Sequence, residues 1–105
     1  EVRNTMGHGS PAKPYETALA GELRRRGLEC DQQHKFPILY KNKVVGEIIP
    51  DIIVAGKIII DTKTVDSIGA REAGQMLNYL KVTGYQLGIV LNFRNPRLEH
   101  RRILR

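Results

Sequence analysis

Two aspartates and a lysine in the middle of the chain have the types and spacing that suit metal-assisted chemistry. Asp51 and Asp61 are separated by two runs of isoleucine and valine, and Lys63 stands two residues after the second acid. Because side chains alternate along a strand, Asp61 and Lys63 share a face, and we expect Asp51 beside them across a tight turn. Converging carboxylates suit Mg²⁺ or Mn²⁺, and the lysine would orient water or offset charge on a phosphate. The pattern favours phosphodiester cleavage; an exposed strand end with an ordinary Asp–Lys pair is the alternative.

Two helices are predicted from the 3.6-residue period of apolar positions. The first runs over residues 11–26, with Ser10 as N-cap and Gly27 as its stop. Its apolar stripe consists of Tyr15, Ala18, Leu19 and Leu23. The second helix runs over residues 67–83 and stops at Gly84. Its core stripe consists of Ala73, Met76, Leu77 and Leu80.

The remaining segments read as strands. Residues 36–40 and 44–54 flank a hairpin turn, with the second strand bent or interrupted near Gly46 and Pro50, and they form an antiparallel meander with residues 58–63. A central strand is expected at 87–93 and an edge strand at 98–104. Since residues 52–54 and 58–60 are apolar on both faces, both faces must be covered. The order α-β-β-β-α-β-β therefore predicts an α/β (α+β) fold whose mixed sheet has a helix on either side.

Composition favours one domain with an anionic partner. The chain has 105 residues and a net charge of +6, which favours nucleic acid, although a basic soluble domain is the simpler alternative. Arg24, Arg25 and Arg26 are either a solvated helix end or a phosphate-contacting patch. Cys30 is the only cysteine, which excludes an intrachain disulfide and suits the cytoplasm. No apolar run approaches the ~20 residues of a membrane span, and because Glu1 is not methionine we expect residues upstream.

Nearly the whole chain resembles the GxxExxY family of the PD-(D/E)XK nuclease superfamily. The matching positions are Gly9, Tyr15, Glu16, Ala18, Leu19, Glu22, Leu23, Arg26, Gly27, Pro37, Ile38, Tyr40, Lys41, Pro50, Asp51, Asp61, Thr62, Lys63, Gln75, Tyr79, Leu80, Leu91, Asn92 and Phe93. The resemblance implies a restriction-endonuclease-like αβββαβ core and a nuclease dependent on Mg²⁺ or Mn²⁺. It implies that Asp51 and Asp61 bind the metal and that Lys63 is the motif lysine. It also implies that Gln75 and Tyr79, one helical turn apart, form a QxxxY pair in which Gln75 contacts a phosphate.

One position departs from the family pattern. The glutamate that gives the family its name, three residues after Gly9, is Ala12 here. Glu16, one turn later on nearly the same face, is the only nearby substitute as a metal ligand. The resemblance therefore leaves two expectations open: the chain is either a nuclease, with DNA favoured over RNA, or an inactive module that binds nucleic acid or protein. A third alternative is a structural homodimer in which the helices or the edge strand near Leu98 pair.

Overall fold

The computed structural model describes residues 12–105, and the predicted cap at Ser10 and the motif Gly9 lie outside them. Its elements, numbered in chain order, are α1 (Ala12–Arg25), β1 (Cys30–Gln32), β2 (Phe36–Tyr40), β3 (Lys43–Ile48), β4 (Ile52–Val54), β5 (Ile58–Lys63), α2 (Ala70–Thr83), β6 (Leu87–Asn92) and β7 (Glu99–Leu104). Both predicted helices are confirmed within the described residues: α1 ends one residue earlier than expected, and α2 begins three residues later than expected. Neither is long and apolar enough to cross a membrane.

The main sheet has five strands in the order β1-β4-β5-β6-β7. β5 and β6 are parallel, with Ile58 opposite Leu87 and Lys63 opposite Asn92, and every other pairing is antiparallel. α2 forms the connection between the two parallel strands, as a crossover between such neighbours requires. The mixed central sheet flanked by helices is therefore confirmed, and with it a restriction-endonuclease-like fold.

The predicted antiparallel meander is wrong in one respect. The interruption expected near Pro50 is present and divides residues 44–54 into two strands, but among the described residues β3 pairs with β2 alone, in a separate two-stranded sheet. Pro50 lies between β3 and β4, and because proline has no N–H to donate it ends the ladder there. β4 pairs instead with β5 and with β1, a three-residue strand that the sequence pattern did not predict. The hairpin turn is confirmed: Lys41 and Asn42 both have positive φ, the conformation that two-residue hairpin loops favour.

The two faces of the main sheet carry separate apolar cores. Ile53 and Ile59 pack under α2, against Met76 and Leu80. The alternate residues on β4 and β5, including Ile52 and Ile60, pack on the other face with Ala20 of α1. This alternation confirms that both faces are covered. Leu77 is 39% exposed, so its assignment to the core stripe of α2 is wrong; it is rotated by about 100° from Met76 around the helix.

Candidate active site

The two predicted acids converge at one end of β4 and β5. Asp61 is buried on β5, on the face that also carries Ile59 and therefore α2. Asp51 directly precedes β4, and its Oδ2 accepts hydrogen bonds from the backbone N–H of Thr62 (2.8 Å) and from Thr62 Oγ1 (2.9 Å). The pKa of Asp51 is raised, first by burial and then by the negative charge of Asp61. The two carboxylates are therefore close enough to repel each other.

A chain of short contacts leads from Asp61 to α2. Lys63 Nζ lies 3.0 Å from Asp61 Oδ2 and donates to Gln75 Oε1 at 2.6 Å. Gln75 Nε2 in turn donates to the Tyr79 hydroxyl at 3.1 Å. The pKa of Tyr79 is raised by burial and then by the charges of Asp61 and Asp51, which keeps its hydroxyl protonated. The structure therefore brings five predicted site residues together, and we call Asp51, Asp61, Lys63, Gln75 and Tyr79 the acid–lysine row.

Glu16 lies near this row but has other partners. Its side chain is buried, and its Oε2 accepts hydrogen bonds from Lys13 Nζ (3.2 Å) and Gln32 Nε2 (2.8 Å). Its Oε1 accepts a bond from Gln33 Nε2 (2.8 Å). Within residues 12–105, no three His, Cys, Asp or Glu side chains are grouped as a metal site would need. Glu16 is instead linked to Asp51 through the amide of Gln33, and its role as a third ligand stays a prediction.

Gln33 is a site residue that sequence reasoning missed. Its Nε2 lies 2.8 Å from Glu16 Oε1 and 3.4 Å from Asp51 Oδ1, and its backbone N–H donates to the carbonyl of Asp51. Its φ is +57°, which is uncommon for a residue other than glycine or asparagine. Gln33 directly follows β1, and the pairing of β1 with β4 places it beside Asp51. Since no spacing rule predicts that pairing, the sequence carried no signal for this contact.

Asn92 holds the loop that follows the motif lysine. It is fully buried, its Nδ2 donates to the Val65 carbonyl (2.8 Å) and to Glu99 Oε1 (2.9 Å), and its Oδ1 accepts from the Val65 N–H (3.0 Å). Glu99 also accepts a hydrogen bond from the Ile68 N–H. These bonds anchor both ends of residues 65–68, between Lys63 and α2. In the sequence, Asn92 was notable only through the family resemblance.

The three consecutive arginines at the end of α1, which we call the basic triplet, are not part of the acid–lysine row. Arg24 donates to the Cys30 carbonyl (2.9 Å), while Arg25 and Arg26 form ion pairs with Glu22. α1 packs on the sheet face opposite α2, whereas the row follows the α2 face. The structure therefore does not bring the triplet together with Lys63.

The residues of the row fit a divalent cation. The two carboxylates repel each other, and burial disfavours the charged form of Asp51. The positive charge of a divalent cation would offset both effects. Oxygen donors of this kind, completed by water and phosphate, are the usual ligands of Mg²⁺ and Mn²⁺. Asp51 and Asp61 would hold the ion.

Comparison with known proteins agrees with this geometry. The family profile of the PD-(D/E)XK nuclease superfamily matches residues 1–103, and the chain belongs to this superfamily. Its nucleases typically use divalent metal ions and act on nucleic acid. Membership of the narrower GxxExxY family stays a prediction.

One solved structure shows the same fold. The protein in "Crystal structure of SSO0001" is 21% identical and superposes with a TM-score of 0.65 over 85% of this chain. The match takes in 47% of that protein, so this chain spans about half its length. No curated protein matches the chain.

Proposed function

We propose that this protein hydrolyses phosphodiester bonds in nucleic acid, with DNA as the favoured substrate, using a divalent cation held by Asp51 and Asp61. The acid–lysine row supports the proposal, because Asp61 and Lys63 of β5 meet Gln75 and Tyr79 of α2 through contacts of 2.6 to 3.1 Å. Asp51, before β4, is close enough for the charge of Asp61 to raise its pKa. The stability of the fold does not require polar side chains from three parts of the sequence to contact one another at the end of the sheet, so their convergence points to a functional site. Membership of a nuclease superfamily supports the same reaction.

We infer a role for each member of the row, and its position supports that role. A bound Mg²⁺ or Mn²⁺ would supply a water of lowered pKa and positive charge beside the phosphate. Lys63, held between Asp61 and Gln75, is placed to orient that water or to offset negative charge on the phosphate. The Gln75 amide and the Tyr79 hydroxyl lie next along the row and are placed to hold the nucleic-acid backbone.

A cleavage assay with an aspartate variant and a matched control tests the proposal. End-labelled single-stranded DNA, duplex DNA and RNA are incubated with the protein in Mg²⁺, Mn²⁺ or EDTA. We expect metal-dependent cleavage that Asp61→Ala abolishes and Asp66→Ala leaves intact, since the Asp66 side chain is 93% exposed. Cleavage that survives EDTA, or that Asp61→Ala does not lower, would contradict the proposed mechanism.

A second function, nucleic-acid binding without cleavage, is favoured by the surroundings of Glu16. Ala12 contributes no ligand, and Glu16 already accepts bonds from Lys13, Gln32 and Gln33. On this alternative the protein forms a salt-dependent complex with nucleic acid and releases no product. The variant Ala12→Glu separates the two functions. Activity that appears only in that variant would identify the chain with Ala12 as an inactive form, whereas activity in both supports the nuclease.

A further inference from the structure

We propose that a cavity along β1 and β4 binds an unstacked nucleobase of the nucleic acid whose backbone lies at the acid–lysine row. The cavity has a volume of about 380 Å³ and is lined by residues that include Glu29, Asp31, His34, Phe36 and Tyr85. This volume falls within the ~300–1,000 Å³ of small-ligand pockets. The inference rests on the proposed function, because the base bound in the cavity would belong to the same nucleic acid whose backbone is held at the row.

Three rings form one side of the cavity. The rings of His34 and Phe36 are tilted at 57° with centroids 4.7 Å apart, and the edge of Phe36 meets Tyr85 at 83° and 6.1 Å. Phe36 and Tyr85 are half-buried and pack against the core under α2, which fixes their positions. Rigid aromatic faces are the groups on which proteins stack single-stranded bases.

The polar groups of the cavity suit a base better than a phosphate. Glu29 and Asp31 are carboxylates, and of the described residues that line the cavity none is a lysine or an arginine. Asp31 Oδ2 lies 2.9 Å from His34 Nδ1, a contact that orients the imidazole beside the rings. Carboxylates accept hydrogen bonds from base amino groups, such as N4 of cytosine, and repel phosphate oxygens. The preferred occupant is therefore a base whose edge carries an amino group.

One end of the cavity approaches the row along β4 and β1, and the other end reaches Gly56 in the turn between β4 and β5. Ile53 lines the cavity and lies two residues after Asp51, which places their Cα atoms about 7 Å apart along an extended chain. His34 directly follows Gln33, whose amide lies 3.4 Å from Asp51 Oδ1. A strand whose phosphate lies at the row can therefore place a neighbouring base in the cavity.

Titration with nucleosides tests the cavity apart from cleavage. Deoxycytidine and thymidine have no phosphate, so neither is a substrate and neither is drawn to the basic surface. Each is added to the ¹⁵N-labelled protein in EDTA, and amide shifts are followed by NMR. We expect saturable shifts at Asp31, His34 and Tyr85, with weaker binding of thymidine, which has no amino group.

Variants identify the groups responsible. Tyr85→Leu and His34→Ala should each weaken deoxycytidine binding about fivefold or more, since stacking on one aromatic side chain contributes that much. Asp31→Asn should reduce the preference for deoxycytidine over thymidine. Tyr40→Leu is the matched control, because Tyr40 is 62% exposed on the β2–β3 hairpin and does not line the cavity.

The outcomes separate this inference from the proposed nuclease. Absence of saturable shifts, or wild-type affinity in both Tyr85→Leu and His34→Ala, would overturn the cavity inference whether or not the protein cuts. Saturable shifts that these variants weaken would support it even if no nucleic acid is cleaved, in which case the proposed hydrolysis alone fails.

Discussion

Replacing Asn92 with alanine should destabilise the protein and misplace the active-site lysine. Asn92 is fully buried and exchanges hydrogen bonds with both the N–H and the carbonyl of Val65, two residues after Lys63. In Asn92→Ala these backbone groups lose their side-chain partner, and Glu99 loses the amide that it accepts from. The loop between β5 and α2 would then no longer be anchored at its start.

The size of the effect follows from the number of groups left without a partner. A fully buried backbone group without a hydrogen bond costs ~1–3 kcal/mol. Because Val65 is half-buried, its N–H and carbonyl together should cost about 2 kcal/mol, at the low end of that range. A change of 1 kcal/mol shifts the Tm of a domain of this size by ~4 °C or more. The Tm of Asn92→Ala should therefore fall by at least ~8 °C. Cleavage should also fall when it is assayed well below the Tm, because Lys63 then loses its fixed distance to Gln75.

Thermal and urea unfolding measure the stability, with two further variants as references. Asn78→Ala is the matched control: Asn78 is exposed within α2, and alanine favours a helix by up to ~0.7 kcal/mol more, so its Tm should be unchanged or slightly higher. Asn92→Asp keeps an acceptor for the Val65 N–H but places a carboxylate against Glu99, and at neutral pH it should be at least as unstable as alanine. A loss below ~1 kcal/mol in Asn92→Ala would refute the reasoning, because water or a shifted loop would then satisfy Val65.

Three other changes probe the site and the core. The folded-state pKa of Asp51 lies above its unfolded value of ~3.9, because of burial and then Asp61, so the charged carboxylate disfavours folding and this penalty disappears below about pH 4. Asp51→Asn should therefore raise the Tm in EDTA at neutral pH, with a smaller gain in acid. Mg²⁺ at tenfold its Kd should stabilise the unsubstituted protein by ~1.4 kcal/mol, and the variant should lose this stabilisation. Equal Mg²⁺ stabilisation of the two proteins would exclude Asp51 as a ligand. Gln75→Ala should slow cleavage of labelled DNA with little change in Tm, because Gln75 is exposed but holds Lys63, and a wild-type rate would remove Gln75 from the mechanism. Gly88→Ala should lower the free energy of unfolding measured in urea by ~1–3 kcal/mol, because its Cβ would overlap Met76 Sδ and lie 2.5 Å from Met76 Cγ. The double variant Gly88→Ala, Met76→Ala should lose less free energy of unfolding than the sum of the losses in the two single variants.

Local pattern predicted the secondary structure well where each element has its own signal. The two helices, the hairpin turn and the strands at 58–63 and 87–93 follow from apolar periodicity and from stop residues such as Gly84. The prediction was wrong where an element depends on its neighbours. β1 has three residues and exists because β4 pairs with it, and β3 pairs with β2 in a separate sheet and not in the expected meander with β5.

The candidate site divides along the same line. The order and spacing of Asp51, Asp61 and Lys63 in the sequence predicted that these side chains lie close together, because strand alternation and one tight turn leave few other arrangements. The pair Gln75 and Tyr79 required the family resemblance in addition to the sequence pattern, since helical spacing says which side chains are neighbours but not what they face.

What the sequence by itself determined is therefore the set of acids, the lysine and the strands that carry them. Only the tertiary structure decided the partners of these groups: Gln33 beside Asp51, Glu16 held by Gln32 and Gln33, and Asn92 anchoring Val65. The physical reason is the range of the interactions. Alternation and helical period act over a few residues and can be read locally, whereas these hydrogen bonds join residues 16 to 27 positions apart and exist only once the sheet has formed.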